Sequence, residues 1–239
     1  MKKPQTNTQT FKALDELRAR IMRGRLNGGD RLREVQLSGD LGISRTPLRE
    51  ALLQLEQEGL LVRGRGGYTV RSFSLADVFD AIELRGVLEG TAARMAAERL
   101  KDPVALNDIK QTLRDLDSVL ERGQADRYDE LNTKFHMQLA QLCGSFIVEE
   151  EVQRANRFPF AAPSAFPTQI EKTDRFLASL VVGQQHHHDI VDAIENNQGS
   201  RAEYLAREHA RLANRNVEIA YADKQRDAEK VPQLALVDG

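Results

Sequence analysis

The chain of 239 residues contains one cysteine, Cys143, and no tryptophan. A single thiol forms no internal disulfide and builds no zinc ribbon, and it suits a reducing cytoplasm. Aromatic residues make up only 5%, so the core has to be built mostly from aliphatic side chains. No apolar run approaches the roughly 18–20 residues that cross a bilayer. Met1-Lys2-Lys3-Pro4 is followed by polar residues where an export signal has an apolar core, so a cytoplasmic protein without a membrane partner is expected. The sequence also lacks a His-Glu-x-x-His motif and a nucleophile elbow, which argues against an enzyme. Net charge is nearly absent as well, with 34 Lys+Arg against 36 Asp+Glu.

That balance hides an asymmetry. Up to Phe73 there are 14 basic and 8 acidic residues, and subtraction from the totals leaves 20 basic and 28 acidic in the remainder. A basic front third on an acidic body fits a nucleic-acid-binding head joined to a domain with another task, although a basic face is often only solvated. Hydropathy periods divide the chain at the same place. Residues 1–73 read as a winged helix-turn-helix, 74–222 as an all-helical domain, and 223–239 as a polar tail that frays. The fold class is mainly α.

In the head, Phe11 to Arg25 has Leu14, Leu17 and Ile21 at helical spacing. Glu34 to Leu41 is a short second helix with Val35, Leu37 and Leu41 available for packing, and Gly42 supplies a turn of positive φ. Ser44 then serves as N-cap of a third helix, with Pro47 in its first turn. Leu48, Leu52, Leu55 and Leu60 form its inward side, so Arg45, Thr46 and Arg49 face outward from its N-terminal half. Arginine there can pair bidentately with guanine. Leu60–Arg63 and Tyr68–Arg71 flank Gly64-Arg65-Gly66-Gly67, a hairpin whose tip carries the charge of Arg65.

Residues Ile43-Ser44-Arg45-Thr46-Pro47-Leu48-Arg49-Glu50-Ala51-Leu52, then Leu55-Glu56-Gln57-Glu58-Gly59-Leu60, then Arg65-Gly66-Gly67-Tyr68-Thr69-Val70, resemble the GntR family of bacterial transcription factors. The resemblance implies a homodimer on near-palindromic operator DNA, with contacts from Arg45, Thr46, Arg49 and Gly66. Many members carry a basic residue where this chain has Val35; Arg31 or Arg33 is placed to compensate.

In the body, Ser74-Leu75-Ala76-Asp77 is a capping-box-like start to a helix running to about Leu100, with Val78, Ile82, Leu84, Val87, Leu88 and Met95 as its apolar positions. Pro103 opens the next helix. Asp126–Cys143, Ser145–Asn156, Gln169–Asn197 and Ser200–Ala222 follow, and three prolines break Arg157–Pro167. His136 lies one turn after Asn132. His187 is in phase with Leu180, Ile190 and Ile194, and His209 with Leu205 and Leu212. One inward histidine is usually a satisfied core residue. Three on separate helices, with an amide oxygen one turn before the first, fit a closed divalent site better. His186 and His188 flank His187 about 100° away on either side, and read as partly solvated.

Leu84-Arg85-x-x-Leu88-Glu89, then Asn132-x-x-Phe135-His136, then His187 before Ile190-Val191, then Ala202 with His209, resemble the ligand-binding domain of the FadR-type branch. The resemblance implies that Asn132, His136, His187 and His209 hold a divalent cation, zinc or nickel, at the floor of an effector cavity. It also implies a carboxylate effector met by Arg85; Arg154 and Asn216 are further candidates. Details around Arg154 and Arg215-Asn216 resemble vanillate-responsive repressors, which points to an aromatic acid. A sugar acid, a dicarboxylate or pure metal sensing are the alternatives.

Overall fold

The computed structural model describes residues 5–158, 174–224 and 236–237. The chain forms two compact units, residues 1–77 with 232–239, and residues 78–231. In the first unit, helix α1 (Gln5–Met22) lays Leu14, Leu17 and Ile21 against Leu48, Leu52 and Leu55 of α3 (Arg45–Gln57). Each of these six side chains is essentially dry, a burial worth about 1.5–3 kcal/mol apiece. Arg18 of α1 reaches Glu58 just past α3 through Nη2 at 2.8 and 2.9 Å, which fixes the two helices in register.

The short α2 (Glu34–Leu41) turns into α3 through Gly42, whose φ of 63° is the left-handed value expected there. Two readings are corrected at this turn. Ser44 occupies the N-cap position with extended backbone, but its side chain makes no capping hydrogen bond. Val35 is 68% exposed, because α2 buries Leu37 instead. Leu60 also lies beyond α3; its N–H donates to the Leu55 carbonyl, closing the helix end over Gly59.

The wing is a three-stranded antiparallel sheet ordered β1-β3-β2, with β1 at Arg31–Leu32, β2 at Leu61–Gly64 and β3 at Gly67–Val70. Gly64 pairs with Gly67 and leaves Arg65-Gly66 as the tip. The first strand was not foreseen, since two residues are too short to display a period of two. The fraying tail is likewise corrected at two residues. Leu236 and Val237 are buried, Val237 forms a parallel bridge with Phe73, and the Phe73 N–H donates to the Leu236 carbonyl at 2.8 Å. Their apolar side chains find a dry site in the head unit. Residues 225–235 lie outside the described residues.

Helix α4 (Leu75–Arg99) starts at the foreseen box: the Ser74 N–H and hydroxyl donate to Asp77 Oδ2, and the Asp77 N–H donates back to Ser74 Oγ. The second unit continues with a 3₁₀ turn (Pro103–Leu106), α5 (Asn107–Glu121), α6 (Ala125–Leu142), α7 (Phe146–Ala155), α8 (Asp174–Glu195) and α9 (Gly199–Lys224). Pro103 therefore opens a tighter turn before the α-helix. Of the segment Arg157–Pro167, residues 159–167 lie outside the described residues. The core joins Ile109, Leu113 and Leu116 of α5, Phe135 and Leu139 of α6, Ile190 and Ile194 of α8, and Ala202 and Ala206 of α9.

Helix α4 turns an unexpected face inward. Val78 and Ile82 are buried as foreseen, but Leu84 and Val87 are exposed, while Arg85, Gly86, Glu89 and Gly90 are buried. Small residues set this geometry. A Cβ on Gly86 would stand 3.0 Å from Ala210 Cβ, and one on Gly90 would stand 2.8 Å from Arg207 Cγ and 3.1 Å from the Glu203 carbonyl. The backbones of α4 and α9 thus approach closely, and the charged pair Arg85 and Glu89 is carried inside with them.

Candidate metal centre and nucleic-acid interface

Three helices each deliver one imidazole to a common point: His136 from α6, His187 from α8 and His209 from α9. Their Nε2 atoms face one another, with His187 to His209 at 3.1 Å and His209 to His136 at 3.3 Å. Three nitrogens bound at about 2.0–2.1 Å to one tetrahedral ion stand about 3.3–3.4 Å apart. The two spacings from His209 are therefore those of neighbouring corners of such a site, and all three ligand atoms lie within 4.8 Å of one another. Phe135 stacks on His187 with ring centroids 4.1 Å apart and helps fix that ring.

Protonation states agree with this geometry. Burial, followed by the neighbouring imidazoles, pushes both His187 and His209 well below the usual histidine range. Both rings are neutral at pH 7, the form that offers a lone pair to a metal. Behind His187 stands an acceptor, with its Nδ1 3.0 Å from Gln184 Oε1. His136 Nδ1 lies 3.1 Å from Glu89 Oε1, a contact between an imidazole and a carboxylate that does not have hydrogen-bond geometry. With its proton held at Nδ1, His187 turns a bare Nε2 inward, toward His209 Nε2. The donor set fits a divalent metal of borderline softness.

Glu89 was quoted in the sequence pattern but given no role, and Gln184 was missed. Its signal was available, because Gln184 precedes His187 by three residues and so shares its helix face. Arg85 is buried beside this group. Its Nε stands 3.8 Å from Glu89 Oε2 and its Nη2 donates to the Ala210 carbonyl at 3.3 Å. Burial alone would raise the Glu89 carboxyl, but His136 and Arg85 hold it below the ordinary range.

The other expected site residues divide. Asn132 is buried on α6, one turn before His136. Asn216 is half-buried and accepts from Ser179 Oγ at 2.9 Å, which ties α9 to α8. Arg154, expected as an effector contact, has a side chain 72% exposed on α7, with Nη1 3.8 Å from Glu151 Oε1. His186 is half-buried, its ring 6.1 Å from that of His209. His188 donates from Nε2 to Asp117.

In the head, Arg31, Arg45, Thr46, Arg49, Arg65 and Gly66 are all exposed. Arg45 and Thr46 occupy the first two positions of α3, where free backbone N–H groups favour phosphate. Arg49 is 63% exposed and donates from Nε to Glu34 Oε2 at 2.7 Å. An outward arginine at the N-terminal half of the third helix, beside a wing with a glycine tip, can enter a major groove.

A basic head of this shape ahead of a helical domain with a three-histidine centre defines a helix-turn-helix regulatory protein. The bacterial regulatory proteins of the gntR family match residues 10–70, and the FCD domain family matches residues 80–212. The chain belongs to the GntR family and carries an FCD domain. It is 37% identical over 117 residues to the Nta operon transcriptional regulator of Aminobacter aminovorans, covering 48% of this chain and 54% of that protein. It is 24% identical to the transcriptional repressor RspR of Escherichia coli, covering 84% and 85%. The chain spans about half the length of several curated relatives it matches. Among solved structures, Escherichia coli McbR/YncC shares the fold, with a TM-score of 0.63 and 23% identity over 90% of this chain and 98% of that one. Among the described residues, no helix is long and apolar enough to cross a membrane.

Proposed function

We propose that this chain is an operator-binding repressor whose helical domain holds a divalent cation, zinc or nickel, and which leaves its DNA when a small carboxylate binds at that cation. The convergence of three imidazole Nε2 atoms carries the reading. Asn132 supplies a fourth donor, its amide oxygen, from one turn before His136. A bound cation supplies a positive centre for the acid; Arg85, buried one helix away, adds to that field. The carboxylate class includes aromatic acids of the vanillate type, sugar acids and dicarboxylates.

A homodimer places two recognition helices on a near-palindromic site, with Arg45, Thr46 and Arg49 in the major groove and Arg31, Arg65 and Gly66 beside it. The outward Leu84 and Val87 of α4 support self-association. The repressor sign is supported by RspR and by the probable D-xylose utilization operon repressor of Paenarthrobacter nicotinovorans, which is 33% identical over 117 residues. Because operator and acid bind one molecule, each weakens the other by the same factor.

The test measures operator binding by fluorescence anisotropy with a panel of carboxylic acids, in the presence of zinc and after chelation. Release by one acid only in the metal-loaded protein is the expected result. Binding governed by metal with no acid effective would make the chain a metal sensor. Operator affinity indifferent to both would sink the reading.

A further inference from the structure

The histidine centre has a support that reaches from α8 to α5. Gln184 is buried at 5% exposure, and both ends of its amide are engaged. Its Nε2 donates to Asp117 Oδ1 at 2.7 Å and to the Leu113 carbonyl at 3.3 Å. Both of these partners only accept; the third neighbour of this nitrogen, His188 Nε2 at 3.3 Å, can take either role. Reversing the amide would put its oxygen against a carboxylate and a carbonyl, so its orientation is fixed. Oε1 therefore faces His187 Nδ1 at 3.0 Å, and that ring nitrogen has to donate. A neutral imidazole carries one proton; with it on Nδ1, Nε2 is left bare toward His209.

His188 completes the arrangement. Its Nε2 lies 3.0 and 3.1 Å from the two oxygens of Asp117, so it steadies the same carboxylate to which Gln184 donates. Two members of the three-histidine run thus have separate tasks: His187 faces the centre, and His188 holds the residue that orients it.

We propose that Asp117 sets the tautomer of His187 through the amide of Gln184, which makes Asp117 and Gln184 positioning residues for the cation. The inference rests on the metal-centre reading above. A carboxylate at position 117 forces the amide to present oxygen to His187. An asparagine there offers either polarity, so the amide can reverse and the imidazole can place its proton on Nε2, where it blocks a cation. Outer partners of this kind typically change metal affinity by about 10–100-fold.

The test titrates the full chain, stripped by chelation, with Zn²⁺ against a chromophoric chelator. Asp117→Asn should weaken the affinity at least about 10-fold. Gln184→Glu should weaken it too, since a carboxylate cannot donate to Asp117. The double variant Asp117→Asn with Gln184→Glu restores the chain of donors: the new amide at position 117 donates to the new carboxylate at position 184, which in turn accepts from His187 Nδ1. It should recover affinity to near that of the natural chain. In the natural metal-free protein, two-bond ¹H–¹⁵N spectra should show His187 protonated at Nδ1; this readout decides the matter where a variant fails to fold. Protonation at Nε2, or four equal zinc affinities, overturns the relay and leaves the centre standing. A natural chain that binds no Zn²⁺ ends the metal-centre reading itself, and the relay with it.

Discussion

Replacing Glu89 by glutamine removes one charge and almost no volume from the interior of the helical domain. Glu89 and Arg85 are each nearly fully buried, and the carboxylate stands 3.8 Å from Arg85 Nε and 3.1 Å from His136 Nδ1. The substitution keeps the side chain's shape beside His136, so the main loss is the carboxylate charge next to Arg85 in a dry site. Removing one partner of a buried pair costs about 3–5 kcal/mol. The 3.8 Å separation is long for such a pair and places the expectation at the lower end, about 3 kcal/mol. For a chain of this size that corresponds to a fall of about 6–12 °C in melting temperature. Calorimetry of the metal-free chain measures it directly. Adding Arg85→Met removes the second charge of the pair and should recover at least half of the fall, because the pair is worth little once both charges are gone. A Glu89→Gln protein melting within about 2 °C of the natural one, or a double variant less stable than the single one, would refute the assignment of this pair.

Arg49→Ala should leave the fold intact and lower operator affinity by about 5–150-fold, the equivalent of about 1–3 kcal/mol for one bidentate guanine contact. Anisotropy on specific and scrambled duplexes reads it, and an unchanged ratio between them would count against α3 as the recognition helix. Gly90→Ala puts a Cβ 3.1 Å from the Glu203 carbonyl, which cannot swing away as the Arg207 side chain can. A loss of about 1–3 kcal/mol in urea denaturation is expected from such overpacking, and a neutral result would mean that α4 and α9 are less tightly apposed. Leu236→Ala empties a dry site in the head unit and should cost about 2–5 kcal/mol there, seen as a lower melting temperature of the head transition. Glu83 is held below the ordinary carboxylate range chiefly by its hydrogen bond from Arg211, with Arg207 adding to it. Its contribution is therefore full above the unfolded value near 4.3 and lost as pH falls through the folded value. Glu83→Gln should be less stable at pH 7, with the gap closing below about pH 4; a gap that widens in acid would contradict the sign.

Periodicity made the helices legible, because Leu14, Leu17 and Ile21, or Ile190 and Ile194, repeat at 3.6 residues over several turns. It also brought His136, His187 and His209 to inward faces, since each is in phase with its own apolar stripe. It could not foresee α4. There the apolar residues Leu84 and Val87 point outward, and the buried face is set by the absence of side chains at Gly86 and Gly90, a signal that only the opposing helix explains. Strand β1 escaped for want of length. Asp117 escaped for a different reason: nothing on α5 marks it as belonging to His187 and His188, which lie far along the chain on α8.

The Gln184 contact bears on how this histidine group differs from a structural cluster. In a core built for stability alone, neighbouring imidazoles would donate to one another in sequence, each Nδ1 or Nε2 proton finding a neighbour. Here Gln184 Oε1 draws the His187 proton outward, and the bare Nε2 of His187 faces His209. A cation that binds such a group stabilises the folded domain by mass action. The same bias explains how a local event can matter to the whole protein. Three of the helices that form the core deliver the histidines and a fourth, α4, delivers Glu89 and Arg85. Under the proposed function, an acid bound at the centre would act on the packing of α4, α6, α8 and α9 together. A coupling of about 1–3 kcal/mol between two such arrangements alters a second site's affinity by about 5–150-fold, enough to empty an operator.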